Sequence, residues 1–129
     1  ARLLNIDARV TSLIEQYAPH VLAIEEAFYA ANVKTALKLG HVRGVAIVVA
    51  ARAGLSIFEY APATIKSSIV GYGRAEKQQV GEMVRLLLNL REVPEPHDAA
   101  DALAAAICHI HNQGTLDRIL AAEAGIGRR

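Results

Sequence analysis

Leu3, Ile6, Val10, Leu13, Ile14 and Tyr17 recur at intervals of three and four residues, so the chain opens on a predicted amphipathic helix, which Pro19 closes. The period then changes. Val21, Leu22, Ala23 and Ile24 form an unbroken apolar run that predicts a buried strand. Glu25 and Glu26 stand at its C-terminal end, where open α/β sheets place their sites; on a strand the two point opposite ways, so Glu26 reads as structural or solvated. Residues 33–53 return to a helical pattern behind Asn32 as the cap, with apolar side chains around most of the circumference. Ala36, Gly40 and Gly44 leave one strip of that helix bare. Each glycine costs about 1 kcal/mol against alanine in a helix, so the strip implies close approach by another backbone. A helix packed on the sheet by one face and on a second subunit by the other accounts for both features.

Gly54 ends this helix, and residues 55–60 predict a second strand. A short helix over 63–70, a turn at Gly71-Tyr72-Gly73 and a helix over 75–90 follow, with Val80, Met83, Val84 and Leu87 facing inward. Pro94 and Pro96 make a loop, 98–111 is the last core helix, and 116–129 reads as a polar-ended tail. The expected organisation is one α/β domain over 1–112 with a C-terminal tail over 113–129.

Composition narrows the classes. The chain has 129 residues, 53% of them hydrophobic and 21% charged, enough for a moderate core and inconsistent with disorder. Cys108 is the only cysteine, which excludes an intrachain disulfide and a cysteine-based zinc site and suggests a reducing, cytoplasmic compartment. The apolar run 45–51, bounded by Arg43 and Arg52, is far too short to span a membrane, and the opening pattern predicts no signal peptide. Net charge is +1, but its distribution is uneven: between residues 27 and 75 a single acid, Glu59, stands against Lys34, Lys38, Arg43, Arg52, Lys66 and Arg74. This belt reads either as a polyanion-binding surface or as scattered solvated cations on helix faces.

Asp98 and Asp101 are the candidate chemistry. Three residues apart, they share one face of a helix, and at about 4 Å with no cation between them they would repel by roughly 4 kcal/mol at an effective dielectric near 20. Two readings stand: an N-cap with a first-turn acid that suits the helix dipole, or a pair of ligands for a hard divalent ion. A third carboxylate would favour the second. His97 is either an exposed loop residue or a general base beside Asp98, whereas His109 and His111, at the far end of the predicted helix, suit its dipole. Gly71 to Arg74 offers backbone amides at a helix start, a phosphate cradle or simply a helix stop. No Gly-x-x-x-x-Gly-Lys pattern occurs, so nucleoside triphosphate binding is not indicated.

Several blocks together resemble one family. They are Ala23-Ile24-Glu25-Glu26-Ala27-Phe28, then Asn32 with Ala36-Leu37-Lys38-Leu39-Gly40 and Arg43-Gly44, then Val70-Gly71-Tyr72-Gly73-Arg74-Ala75-Glu76-Lys77, and finally Asp98-Ala99-Ala100-Asp101. In order and spacing these resemble the RuvC Holliday-junction resolvases. The resemblance implies a ribonuclease-H-like domain, helices packed on a mixed sheet, that forms a homodimer through helix 33–53. It also implies cleavage of four-way junction DNA by paired nicks, with two Mg2+ ions (Mn2+ as substitute) and with RuvA and RuvB as partners. Of the family's four acids, Glu25, Asp98 and Asp101 match three, as catalytic metal ligands. The first, on an opening strand within an Asp-x-Gly motif, has no counterpart: Asp7 lacks the following glycine, sits in a helical pattern and reads as a solvated helix residue. The expected chain is therefore a family member whose opening strands are absent, with impaired cleavage. By the same resemblance Phe28 meets bases at the junction centre, and Lys66 and Lys77 face DNA, with Arg74 beside them. The alternative is a dimeric module that binds branched DNA without cutting it.

Overall fold

The computed structural model describes residues 1–26, 32–73 and 75–127, with side chains to residue 125. Its elements run α1 (Arg2–Tyr17), β1 (Val21–Glu25), α2 (Val33–Arg52), β2 (Ser56–Tyr60), α3 (Pro62–Val70), α4 (Lys77–Leu87) and α5 (His97–Gly127). They form two compact units, Ala1–Glu59 and Tyr60–Arg129.

In the first unit α1 packs along α2, and β1 and β2 lie side by side in a small parallel sheet connected through α2. The chain leaves α1 through Ala18, whose φ of 46° breaks the helix ahead of Pro19. Asn32 caps α2 by accepting from the Thr35 amide at 2.9 Å, as its position predicts. Only part of the predicted α1 stripe is covered: Ile6, Val10 and Ile14 are half-buried, whereas Leu3, Leu13 and Tyr17 are exposed. Asp7 is more than a solvated residue. Half-buried, it accepts from Thr11 Oγ1 at 3.1 Å and pairs with Arg52 of α2 at 3.4 Å. Arg43 of α2 reaches Glu59 of β2 at 2.8 Å.

The second unit is three helices around one apolar cluster. Ile65 and Ile69 of α3, Ala75, Val80 and Val84 of α4 and its approach, and Ala104, Ala105, Ile107 and Cys108 of α5 are buried together. The half-buried Tyr60, Val70, Met83 and Leu103 pack around them. Gly71, at φ 91°, takes the left-handed position that ends α3. The next helix starts later and stops earlier than 75–90: Glu76 is its cap, in a reciprocal bond with Gln79, and Leu87 is exposed. The last helix starts one residue before the predicted 98 and continues through Gly127, so its residues beyond 111 are helical but largely exposed.

Two ionisable groups report on this cluster. Burial raises the Tyr60 phenol above its ordinary value, with neighbouring Cys108 adding to the effect, and burial raises the Cys108 thiol. Both shifts favour the protonated form in the folded unit. Its stability is therefore expected to hold below the unfolded values, about 9 for the thiol and 10 for the phenol, and to fall as pH rises from there through the folded ones. Urea midpoints between pH 8 and 11 should show this decline, and the decline should be shallower in Cys108→Ala and Tyr60→Phe than in the parent.

Candidate functional site

Each predicted acid is placed by regular structure. Glu25 is the last residue of β1, half-buried, in the first unit. Asp98 and Asp101 are in the second unit, in the first two turns of α5. Because α5 begins at His97, Asp98 lies within the helix and is not its N-cap. The chain turns into the helix through the Ala99 amide, which donates to the Pro96 carbonyl at 2.9 Å. Asp98 is exposed and Asp101 half-buried, with Ala100 between them at 4% exposure, so their shared face lies beside the core, open to solvent. Among the described residues neither aspartate makes an ion pair. Two neighbouring anions without a protein cation are a hard-oxygen donor set, the kind that divalent ions of the magnesium type accept. In kind the residues fit such an ion. In number the set is incomplete, since among the described residues no three His, Cys, Asp or Glu side chains stand together as a metal site.

The histidines are redistributed by the longer helix. His97 is exposed at the start of α5, adjacent to Asp98. His109 and His111 fall in the middle of α5 and not at its end, so the helix dipole is not what they serve. His109 Nδ1 shares a 2.6 Å hydrogen bond with the Tyr60 hydroxyl, and His111 Nδ1 lies 3.2 Å from both the Ser68 carbonyl and the Ser68 hydroxyl. No sequence signal pointed to these contacts, which join residues 49 and 43 positions apart.

The basic belt is partly neutralised. Arg43 and Arg52 are engaged by Glu59 and Asp7, while Lys34 and Lys38 are exposed on α2. Lys66 is half-buried on α3, and Lys77 is exposed as the first residue of α4. Phe28 and Arg74 lie outside the described residues. Of the amides from Gly71 to Arg74, that of Gly71 closes α3 by donating to the Ser67 carbonyl at 2.9 Å, the helix-stop reading of this turn; at the start of α4 Glu76 accepts from the Gln79 amide, and the Glu76 amide donates to Gln79 Oε1 at 2.9 Å. Gln79, three residues after the cap, is one half of the usual capping-box pattern, and Glu76 in place of Ser, Thr, Asp or Asn hides the other half in the sequence. No helix among the described residues is long and apolar enough to cross a membrane.

Comparison with known proteins gives one answer throughout. A family profile described as crossover junction endodeoxyribonuclease RuvC matches residues 1–109. The crossover junction endodeoxyribonuclease RuvC of Koribacter versatilis is 56% identical over 118 residues, covering 92% of this chain and 71% of that protein. The one from Caldanaerobacter subterraneus is 49% identical over 118 residues, with 92% and 72% covered. Among solved structures, Thermus thermophilus RuvC superposes with a TM-score of 0.81 at 36% identity, over 88% of this chain and 69% of that one. The same protein in complex with a Holliday junction substrate gives 0.80 at 32% identity, over 88% and 68%.

Proposed function

The chain belongs to the RuvC family of crossover junction endodeoxyribonucleases, and we propose that it acts on four-way DNA junctions in the cytoplasm, resolving them by paired, metal-dependent nicks in two symmetric strands during recombination and repair. The observation that carries this reading to particular residues is the Asp98 and Asp101 pair on the open face that begins α5. With Glu25 at the end of β1, these are the ligands assigned to Mg2+, two ions in the complete site, with Mn2+ as substitute. When bound, such ions supply an activated water and stabilise charge on the leaving oxygen. The chain's own contribution is to fix three carboxylates on regular elements and to bring cations to the DNA. Lys77 and Lys66 contact phosphates, Arg74 adds to them, and Phe28 stacks on bases at the junction centre, worth about 1 to 3 kcal/mol per base. Having three of the four acids implied by the family pattern, the chain by itself is expected to bind metal weakly and nick poorly. Cleavage should return when a segment carrying the first acid is supplied.

A second copy completes the functional unit through α2. Val33, Leu37, Val42 and Val48 on that helix are 76%, 58%, 40% and 59% exposed. A Cβ built on Gly40 or Gly44 meets nothing within 4 Å, so no packing among the described residues explains either glycine. Two sites related by a two-fold axis would engage two equivalent strands. Gly40→Ala and Gly44→Ala are expected to stabilise the isolated helix by about 1 kcal/mol each and yet weaken self-association. Sedimentation equilibrium alongside urea unfolding checks both signs.

The first experiment is a gel assay of the 129-residue chain on a four-way junction and on a linear duplex, with Mg2+ and with EDTA. Preference for the junction in both buffers with little nicking is the expected result; efficient symmetric nicking would overturn the claim of impairment. Equal binding of duplex and junction would remove the proposed function from this chain. The second reading, a dimeric module that holds branched DNA without cutting it, rests on the first acid of the family pattern having no match in the 129 residues. Adding back the segment with the first acid separates the two, because a binding module stays inactive.

A further inference from the structure

The helix that carries Asp98 and Asp101 is held by a smooth surface. Its buried residues are Ala100, Ala104, Ala105, Ile107 and Cys108, at 4%, 1%, 3%, 7% and 0% exposure, packed against α3 and α4. Apart from Ile107, and from the half-buried Leu103 at the edge of the cluster, the packed residues are small. Small residues let helices approach closely but interlock weakly, so they resist rotation of α5 about its own axis less than large knobs would. At the margin of this surface stands a directional contact, the 2.6 Å bond between the Tyr60 hydroxyl and His109 Nδ1. The Tyr60 ring packs against the apolar cluster, and its plane is tilted 57° to the imidazole with centroids 5.9 Å apart. The hydroxyl is therefore positioned by the core, and the imidazole must come to it.

We infer that the Tyr60–His109 hydrogen bond is a positioning pin that sets the rotation of α5 and thereby the presentation of the Asp98 and Asp101 carboxylates. His109 lies on the same continuous helix as Asp98, eleven residues on, or about 16 Å along the axis. A rotation fixed at His109 is carried by the helix to its start. At a side-chain radius of about 6 Å, a turn of about 10° moves a carboxylate by about 1 Å. A misplacement of that size at a reacting centre costs about a hundredfold in rate. The weaker His111 contact with Ser68, at 3.2 Å and exposed, adds a second restraint one half-turn on.

The inference rests on the assignment of Asp98 and Asp101 as metal ligands, and its test reads the helix separately from the reaction. In 15N-labelled 129-residue chain, Tyr60→Phe and His109→Leu are expected to shift the amide resonances of residues 98–101. They should also raise, by about threefold or more, the Mn2+ concentration that half-broadens those resonances. His109→Gln, whose amide oxygen accepts from the phenol, should stay near the parent. In a chimera that places the N-terminal segment of the Koribacter versatilis relative before Ala1, Tyr60→Phe should lower the nicking rate at saturating junction about tenfold while leaving junction Kd within about twofold. A general loss of folding would weaken Kd as well. Parent-like resonances and rate in Tyr60→Phe, or His109→Gln as damaged as His109→Leu, would overturn the pin. If the parent itself neither prefers nor nicks the junction, the proposed function fails, and the amide resonances still decide the pin.

Discussion

Replacing Asp98 or Asp101 by asparagine in the same chimera is expected to reduce junction nicking by at least about a hundredfold while leaving junction binding intact or slightly tighter. The amide keeps the size and shape of the side chain but removes one charge and much of the affinity for a hard cation. Binding should not suffer, because the two carboxylates share an open face that must come near phosphates if it is to act on them, and without a metal ion they repel DNA. The parent in EDTA should therefore bind less tightly than the asparagine variants in EDTA, and Mg2+ should narrow that gap. Glu25→Gln should lose activity to a similar extent. Glu82→Gln is the comparison: Glu82 is exposed and held below the usual carboxylate range by its hydrogen bond to Arg85, in an ion pair local to α4. Its loss should leave nicking unchanged. A rate for Asp98→Asn within tenfold of the parent would remove Asp98 from the ligand set.

The positions of these acids, at a strand end and at a helix start, were legible in sequence because they are local. A spacing of three residues in a helix places side chains together whatever surrounds the helix, and a strand's end is marked by where its apolar run stops. The same locality found Asn32 as the cap of α2 and Val80 and Val84 as core. Expectations failed where a neighbour decided the outcome. Six apolar positions on α1 imply a wide buried face, but α2 is the element that packs along it, and Leu3, Leu13 and Tyr17 are left exposed. The last core helix reads in sequence as ending at residue 111, ahead of Gly114. Yet a glycine costs only about 1 kcal/mol within a helix, Thr115 bonds back to the His111 carbonyl at 3.0 Å, and the helix runs on to Gly127.

Charge was the least legible property. Six cations against one acid look like a binding surface on paper, but Asp7 lies outside that window and Glu59 sits on a different element from its partner. Folding brings them to Arg52 and Arg43. Among the described residues Lys34 and Lys38 on α2 are exposed, as is Lys77 just beyond the window, and Lys66 is half-buried. Tyr60 and His109 were invisible for the same reason: neither has a distinctive local context, and 49 residues separate them.

Val84→Asp is expected to unfold the second unit outright. Val84 has 0% exposure in the cluster formed by α3, α4 and α5, and no buried polar or charged side chain lies among the described residues to receive a carboxylate. An unpaired charge there costs several kcal/mol even after relaxation, against a total stability of about 5 to 15 kcal/mol for a domain. Protonation would lessen the charge but not the loss of apolar contact. Val84→Ala removes two methyl groups without adding charge and should cost about 1 to 3 kcal/mol, leaving the unit folded. Gly81, one turn earlier, tests how closely the same helix is packed: a Cβ there would meet Val93 Cγ1 at 3.0 Å, so Gly81→Ala requires the Val93 side chain to give way and should not stabilise as an exposed glycine would. Urea unfolding and amide exchange of α5 read all three. Because α5 packs against α4, Val84→Asp should abolish the Mn2+ response of residues 98–101 together with the helix signal, whereas Val84→Ala should keep both. A folded Val84→Asp with the parent's urea midpoint would mean that α4 does not pack its Val84 face into this core.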